Sequence, residues 1–178
     1  MEKKAQKKTT TKPAPKREKM AFVINGRGGV GKDTLIHALA REGHRVMNVS
    51  SSDIVKQSAL AAGWNGEKDV KGRQFLVAIK EAMVEYGDLP TVYLTAKYNE
   101  FMASEFDFYF AHVREPREIE KLVKKINAKT ILVKRAAAPV INTPNENNVD
   151  KYKYDIIFHN DQPIEKSVKD FFIAITQA

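Results

Sequence analysis

An α/β fold is the class that the sequence predicts, with helices on both faces of a five-stranded parallel sheet. Short apolar runs suited to strands alternate with helical patterns from residue 20 onward. The run at 106–113 is nearly continuous in large apolar residues, which is typical of a strand covered on both faces. A glycine-rich loop at 26–31 joins the first run to the first helical pattern. This alternation favours parallel strands, right-handed crossovers and three layers.

Each predicted element depends on periodicity and on the residues that bound it. Gly43 and Gly63 follow helical patterns as C-terminal stops, and the residues at 50–53 can cap the second helix. Pro116 suits the first turn of a helix, where its missing N–H has no intrahelical partner. The strands are predicted at 20–25, 44–49, 106–113, 130–133 and 154–158. The helices are predicted at 32–42, 53–62, 69–86, 91–104, 116–127 and 163–175.

The helix predicted at 69–86 carries one apolar stripe. Its members recur at helical spacing, and such a stripe belongs more often to the core than to a binding surface. We therefore expect the stripe to be buried. Its members are Phe75, Ile79, Met83 and Tyr86.

The net charge of +8 belongs mostly to the N-terminal tail. Residues 1–19 hold eight basic and two acidic side chains, or +6, and the other residues hold 22 basic and 20 acidic side chains, or +2. The tail has too few apolar residues to bury a core. We predict a disordered basic tail at 1–19 and one domain at 20–178. The tail either attracts nucleic acid or an anionic surface weakly, or only keeps the protein in solution.

The absence of cysteine excludes several kinds of site and bears on where the protein is found in the cell. Without cysteine the chain has no disulfide, thiolate nucleophile or cysteine metal site, which is consistent with a cytoplasmic protein. No run approaches the roughly 18 uninterrupted apolar residues of a membrane span. The sequence leaves open whether the protein is a monomer or a homodimer.

The loop after the first predicted strand has the composition of a phosphate-binding loop. A glycine-rich backbone can turn its N–H groups inward around a polyphosphate, and the following helix N-terminus adds a favourable partial charge. Lys32 would reach the β- and γ-phosphates as a point charge. The alternative is a plain turn between strand and helix. The predicted cradle consists of Gly26, Gly28, Gly29, Val30, Gly31, Lys32, Asp33 and Thr34.

Asp33 departs from the usual pattern, in which a Ser or Thr follows the lysine and holds Mg²⁺. A carboxylate beside phosphates is repulsive unless a metal or a basic group lies between them. Three arrangements remain open. Thr34 takes over the metal contact, Asp33 binds the metal through water, or Asp33 faces away from the nucleotide.

In an open parallel sheet, ligands bind beyond the carboxyl ends of the strands. This rule selects, besides the loop, Asp53, Arg114, Lys134 with Arg135, and the turn at 160–161. Asp53 would help to hold a metal or orient a sugar, or would only cap the helix at 53–62. The Pro- and Asn-rich connection at 136–151 has the length of a lid or binding loop.

The residues resemble a P-loop nucleoside-monophosphate kinase, and are most similar to the deoxynucleoside-monophosphate kinases of phages and bacteria. The resemblance covers most of 20–176 and implies a three-layer P-loop NTPase fold. It is carried by Gly31-Lys32-Asp33-Thr34, by Trp64 with Glu67-Lys68-Asp69 and Gly72-Arg73, by Val113-Arg114-Glu115-Pro116 with Glu118, and by Tyr154-Asp155-Ile156-Ile157 with Asn160-Asp161.

The resemblance implies Mg²⁺-dependent transfer of the γ-phosphoryl group of ATP to a nucleoside monophosphate. Lys32 would hold the donor, Arg73 would bind the acceptor phosphate, and Arg114 would stabilise charge in the transition state. The metal would be held by Thr34, Asp33 and Asp53. Arg135 would reach the phosphates and Asn160 would line the adenine pocket. The alternatives are a solvent-facing arginine at 73, an ion pair at 114, a strand exit at 134–135 and a simple turn at 160–161.

Two departures from the family pattern keep other functions open. His112 stands where relatives commonly have an aspartate, and residues 136–151 contain no arginine. These two departures leave a low-activity or repurposed kinase fold open, and the departures at Asp33 and His112 favour a non-catalytic nucleotide-binding module as an alternative. The loop also resembles that of partition-type ATPases, which carry a lysine at the position of Arg27 and dimerise around ATP.

Overall fold

The computed structural model describes residues 18–139 and 148–177. The strands are β1 (Met20–Asn25), β2 (Val46–Ser50), β3 (Phe108–His112), β4 (Lys129–Lys134) and β5 (Ile156–His159). The helices are α1 (Lys32–Arg41), α2 (Ser51–Ala61), α3 (Val70–Gly87), α4 (Leu89–Ala103), α5 (Pro116–Ile126) and α6 (Ile164–Thr176), with a 3₁₀ turn at Val149–Lys151.

The five strands form one parallel sheet in the order β2-β3-β1-β4-β5. The predicted fold class and strand number are therefore confirmed. β1 lies at the centre, so the loop that follows it emerges at the middle of the carboxyl edge, where parallel α/β sheets bind ligands.

Two apolar layers sandwich the sheet and confirm the three-layer arrangement. On one face, side chains of α1 and α6 such as Leu39 and Phe171 pack on Phe22 and Phe110. On the other face, α4 and α5 cover the opposite side of the same strands. Because β3 has packing partners on both faces, its residues Phe108, Tyr109, Phe110 and Ala111 are buried, as the apolar run predicts.

The expectation that the α3 stripe is core is wrong. Tyr86 is 85% exposed and Phe75 is 37% exposed, whereas Ile79 and Met83 are only partly buried. α3 packs on α2 and α4 rather than on the sheet, so no second layer covers its outer face. Its one fully buried residue is Gly72, where a Cβ atom would lie 2.1 Å from the Glu67 carbonyl oxygen.

β2 and β3 each begin two residues later than predicted, for a local reason. Arg45 and Asp107 both precede their strands and bond to each other, with Arg45 Nη2 2.9 Å from Asp107 Oδ1. The Asp107 amide donates to the Arg45 carbonyl at 2.8 Å. His44 meanwhile stacks on Phe172 of α6 with ring centroids 4.4 Å apart. Residues 44–45 and 106–107 therefore join the sheet edge through side chains before the ladder starts.

Lys19 belongs structurally to the folded domain, although its charge groups it with the tail. Its Nζ donates to the carbonyls of Phe101 and Ser104 at 2.6 and 2.7 Å, and to that of Phe106 at 3.1 Å. A cation at the C-terminus of α4 satisfies carbonyls that have no helical partner. The rest of the predicted tail, 1–17, and part of the predicted lid, 140–147, lie outside the described residues.

Between residues 18 and 177, leaving out 140–147, no helix is long and apolar enough to cross a membrane.

Candidate functional site

The loop between β1 and α1 can adopt its path only with glycine at two positions. Gly26 has φ +147°, and a Cβ there would lie 2.5 Å from the Val133 carbonyl oxygen. Gly31 has φ +87°, and a Cβ there would lie 2.6 Å from Asn160 Nδ2. Both conformations strain residues with a side chain, and both approaches are too close for a methyl group. The glycines thus place loop backbone directly against β4 and the turn after β5.

Asn25, at the end of β1, connects this loop to two other parts of the site. The side chain is 1% exposed, and its Oδ1 accepts from the Gly26 amide at 2.8 Å. Its Nδ2 donates to the Arg114 carbonyl at 3.1 Å and to the Tyr154 hydroxyl at 2.7 Å. The Tyr154 hydroxyl in turn donates to the Val149 carbonyl at 2.8 Å. One buried amide therefore holds together the start of the loop, the end of β3 and the segment before β5.

Lys32 folds back over the loop at the start of α1. Its Nζ donates to the Gly26 carbonyl at 2.6 Å and to the Arg27 carbonyl at 3.0 Å. The ammonium group thus lies across the opening of the cradle that the glycines form. A polyphosphate in that cradle would meet this positive charge and the N-terminus of α1.

Asn160 supports the loop from behind. The residue is 6% exposed, and its Nδ2 donates to the Val30 carbonyl at 2.8 Å. The neighbouring Asp161 accepts from the Ala136 amide at 2.7 Å through Oδ1. Asn160 therefore braces a predicted cradle residue with its own side chain, and its predicted contact with adenine stays a prediction.

Asp33 faces the β2–β3 side of the loop. Its Oδ1 accepts from Asn48 Nδ2 at 3.3 Å and lies 3.6 Å from His112 Nε2. His112 Nε2 also lies 2.8 Å from Asn48 Oδ1. The side chain thus lies towards β2 and β3, which agrees with the third arrangement left open by the sequence, in which Asp33 faces away from the nucleotide.

His112 lies among the charged groups of the site. The pKa of His112 is lowered to about 4, mainly by burial; Asp33 and Asp53 oppose the shift, whereas Lys32 and Arg114 add to it. The imidazole is therefore neutral at neutral pH. The same influences show that the structure brings these four predicted site residues to one region at the carboxyl edge.

Asp53 has a structural role that the sequence only half identifies. Ser50, not Asp53, is the N-cap of α2, and Asp53 is the third helical residue of a capping box. Its Oδ2 accepts from the Ser50 amide at 2.7 Å, and its Oδ1 lies 3.6 Å from Lys56 Nζ. The interpretation of Asp53 as a simple N-cap is therefore wrong: the N-cap of α2 lies three residues earlier.

The donors for a divalent cation are sparse in the part of the chain that the structure describes. That part holds no group of three or more His, Asp or Glu side chains arranged to hold a metal. Thr34 and Asp33 are both exposed at the start of α1. Mg²⁺ commonly takes one or two protein oxygens and completes its shell with water and phosphate oxygens. Asp33, Thr34 and Asp53 fit that mode and not an all-protein cage.

A cavity of about 320 Å³ adjoins the loop on the β4 side. Asp150 bridges two cations at its rim, with Oδ2 3.0 Å from Arg27 Nη2 and Oδ1 3.3 Å from Lys134 Nζ. Burial would raise the pKa of Asp150, but the hydrogen bonds from Arg27 and Lys134 outweigh it and lower the pKa. The lining residues are Arg27, Val30, Leu132, Val133, Lys134, Arg135, Ala136, Ala138, Pro139, Val149 and Asp150.

Arg73, predicted to bind the acceptor phosphate, and Arg114, predicted to stabilise the transition state, occupy different surroundings. Arg114 lies two residues beyond the end of β3, and its backbone carbonyl accepts from Asn25. Arg73 is exposed on the first turns of α3, where its Nε donates to the Lys68 carbonyl at 2.8 Å. Lys80, seven residues further on the same helical face, pairs with Glu118 of α5 at 2.8 Å. That face of α3 is therefore turned towards α5, which begins just beyond Arg114.

Sequence reasoning assigned no role in the site to Asn25, Asn48, Asp150 or Tyr154, although Tyr154 lies in a motif that carries the resemblance. Asn25 carries a usable signal, because a polar residue at the buried end of an apolar strand has to find partners. The other three give no local signal. Asp33, Arg27 and Asn25, which Asn48, Asp150 and Tyr154 contact in turn, are 15, 123 and 129 positions away along the chain, and only the fold brings them together.

No protein-family model and no curated protein sequence matches the chain. Among solved structures, a sugar kinase from Janibacter sp. HTCC2649 is similar at 13% identity and a TM-score of 0.48, over 90% of this chain and 96% of that chain. A shikimate kinase from Aquifex aeolicus is similar at 10% identity and 0.46, over 89% and 97%. A gluconokinase from Sinorhizobium meliloti 1021 is similar at 12% identity and 0.46, over 91% and 94%. Likenesses at these identities and TM-scores carry no argument about what this chain does.

Proposed function

We propose that the chain is an ATP-dependent phosphotransferase that moves the γ-phosphoryl group of ATP to a nucleoside or deoxynucleoside monophosphate. The observation that carries the proposal is the loop at the centre of the carboxyl edge. Its two glycines with positive φ, Gly26 and Gly31, open the backbone, and the Lys32 ammonium lies across the opening. This geometry suits a polyphosphate with its terminal phosphate at the lysine.

Phosphoryl transfer needs positioned charge more than covalent chemistry from the protein. In the proposed site, Lys32 binds the terminal phosphates and exchanges its two carbonyl partners for phosphate oxygens. Arg114, beyond β3, stabilises the charge that spreads over the transferred group. Mg²⁺ would supply further charge neutralisation, with Thr34 and Asp53 as its protein-side contacts and with Asp33, on the β2–β3 side, contacting it only through water.

The cavity beside β4 is the proposed location of the donor's base. Val30, Ala138, Pro139 and Val149 give it apolar walls, which suit a flat heterocycle. Arg135 lies at the same cavity and is within the region that the phosphates approach. The nucleoside monophosphate then binds on the opposite, β2–β3 side, between Arg114 and the Arg73 face of α3.

A panel of ribo- and deoxynucleoside monophosphates incubated with Mg-ATP tests the proposal, with coupled detection of ADP. We expect one or a few monophosphates to stimulate ADP formation well above the rate with ATP alone. ATP binding without stimulation by any monophosphate would contradict the nucleotide acceptor and leave the loop assignment standing. Failure of ATP to bind at all would contradict the whole proposal.

Arg73→Ala should raise the KM for the monophosphate about tenfold and leave the KM for ATP nearly unchanged. A guanidinium fork on a phosphate dianion gives strong ground-state binding, and its loss appears in the acceptor KM. Steady-state kinetics with each substrate varied in turn measures both values. Arg117→Ala, an exposed arginine on α5, is the matched control. An unchanged acceptor KM in the Arg73 variant would remove this residue from the assignment.

Deletion of residues 1–17 should leave the kinetic constants nearly unchanged, because the deletion spares Lys19 and its three carbonyl contacts. A longer deletion, of 1–19, removes that helix cap and should lower the Tm by about 2–4 °C. Kinetics and thermal unfolding of both truncations separate the two effects. A large loss of activity in the shorter truncation would mean that the tail belongs to the site.

A non-catalytic nucleotide-binding module is the second candidate, and a specific observation favours it. His112 occupies the carboxyl end of β3, where a carboxylate is expected in the related kinases, and Asp53 is already engaged in a capping box. Both features weaken a metal site. Stabilisation of the protein by ATP in thermal unfolding, with no transfer to any monophosphate, would favour this candidate. ATP-driven dimers on size-exclusion chromatography would instead favour a partition-type ATPase.

A further inference from the structure

A hydrogen-bonded chain at the start of α1 has a defined direction. The Asp33 carboxylate can only accept, so the group that Asn48 presents to it has to be the Nδ2 amide. Asn48 therefore presents its carbonyl oxygen to His112, and His112 Nε2 donates to it at 2.8 Å. His112 thus orients the Asn48 amide, and the amide orients the carboxylate.

In this series of hydrogen bonds, the His112 side chain is much more buried than the Asp33 side chain. His112 is the last residue of β3, its side chain is 14% exposed, and the Asn48 amide comes from the neighbouring strand β2. Asp33 is 68% exposed and sits on the first turn of α1, directly after Lys32. Asn48 and His112 are the side chains that lie against the Asp33 carboxylate, so they are the groups that can hold it on the β2–β3 side.

The direction of the Asp33 carboxylate matters for anion binding, because Asp33 directly follows the loop lysine. The residue directly after the loop lysine is adjacent to the bound terminal phosphates, and two negative groups at such a distance repel each other. A carboxylate turned towards β2 and β3 is further from the cradle than one that rotates over it. The two strands thus offer a physical reason why a loop with an acidic residue here can accept an anion.

We propose that Asn48 and His112 are positioning residues that hold the Asp33 carboxylate on the β2–β3 side of the loop, away from the bound polyphosphate. The proposal depends on the proposed function only through nucleotide binding at the loop, and on no step of the transfer. Lys32, Asp53 and Arg114 are the other charged groups that influence this region.

The test is a double-mutant cycle on ATP affinity. Asn48→Ala is made in the wild-type chain and in an Asp33→Asn background, and the Kd for ATP is measured by calorimetry in EDTA. The absence of metal silences any role of Asp33 as a magnesium contact. We expect Asn48→Ala to weaken ATP binding about three- to tenfold in the wild-type chain and not in the Asp33→Asn background.

Ionic strength supplies a second readout that a structural defect would not move. Repulsion between an exposed carboxylate and a phosphate is screened, so the effect of Asn48→Ala should shrink between 50 and 500 mM KCl, that is, from a Debye length of roughly 14 Å to roughly 4 Å. Asn65→Ala, in the exposed loop before α3, is the matched asparagine control and should leave the Kd unchanged.

His112 is tested by a pair of variants, which also covers the case that Asn48→Ala folds poorly. His112→Gln keeps a side-chain N–H donor for Asn48 and should keep most of the ATP affinity. His112→Phe fills the site without a donor and should weaken ATP binding as Asn48→Ala does. Thermal unfolding of each variant shows whether the fold is intact.

Each result decides for or against the proposal. Equal loss of affinity on Asn48→Ala in both backgrounds, or no loss in either, would overturn it while leaving ATP binding and transfer as they stand. Equal affinity of the two His112 variants would overturn the role of the imidazole. Absence of ATP binding in the wild-type chain would overturn the positioning proposal and the proposed function together.

Discussion

Lys32→Ala should reduce phosphoryl transfer by at least about 100- to 1000-fold and leave the fold intact. The Lys32 ammonium group lies across the loop opening, where it donates to the Gly26 and Arg27 carbonyls. Removal of a preorganised charge from a site of developing negative charge typically has an effect of this size on kcat. ADP formation in the presence of the stimulating monophosphate measures the loss.

Two controls separate the chemistry of Lys32 from its bulk and from general charge. Lys32→Met keeps the length of the side chain without its charge and should be as inactive as Lys32→Ala. Lys166→Ala removes an exposed lysine that pairs with Asp170 on α6, and should have nearly full activity. Retention of more than a tenth of wild-type kcat in Lys32→Ala, with an unchanged Tm, would contradict the assignment of the loop.

The second large effect is expected at Asn25. Asn25→Ala should lower the free energy of unfolding by about 2–4 kcal/mol, since it leaves three buried groups without this partner. These groups are the Gly26 amide, the Arg114 carbonyl and the Tyr154 hydroxyl. Urea denaturation followed by circular dichroism measures the loss.

Tyr154→Phe is the matched comparison, because it removes only the hydroxyl of the same network. The Tyr154 hydroxyl is buried between Asn25 and Val149, and its loss should lower the free energy of unfolding by about 1 kcal/mol. The prediction at Asn25 requires the larger effect there. A smaller loss in Asn25→Ala than in Tyr154→Phe would mean that Asn25 does not organise the site.

The fold was largely predictable because its main signals are local. The apolar runs, the glycine stops and Pro116 each determine structure within a few residues, and all five strands lie where these signals place them. The α3 stripe was not predictable in the same way. A period of 3.6 shows that one face of a helix is apolar, but not whether another layer covers that face. The exposure of Tyr86 depends on α3 packing beside α2 and α4.

In the candidate site, too, the local features could be predicted from the sequence and the long-range contacts could not. The loop glycines and Lys32 are contiguous in sequence, so their geometry follows from spacing alone. The sideways position of Asp33 depends on Asn48 and His112, which lie on two other strands. The bridge from Asp150 to Arg27 and Lys134 likewise joins distant parts of the chain. Such contacts follow from the strand order, which a single sequence does not reveal.

Because few side chains of α3 are buried, most of its positions can change with little effect on the stability of the protein. With Gly72 as its one fully buried position, nearly the whole helix can change its side chains without creating a void beneath the sheet. The proposed acceptor is met by that same helix. Directed diversification of its outward positions, with Gly72 kept, is therefore a route to altered substrate preference that leaves the scaffold's folding free energy almost untouched.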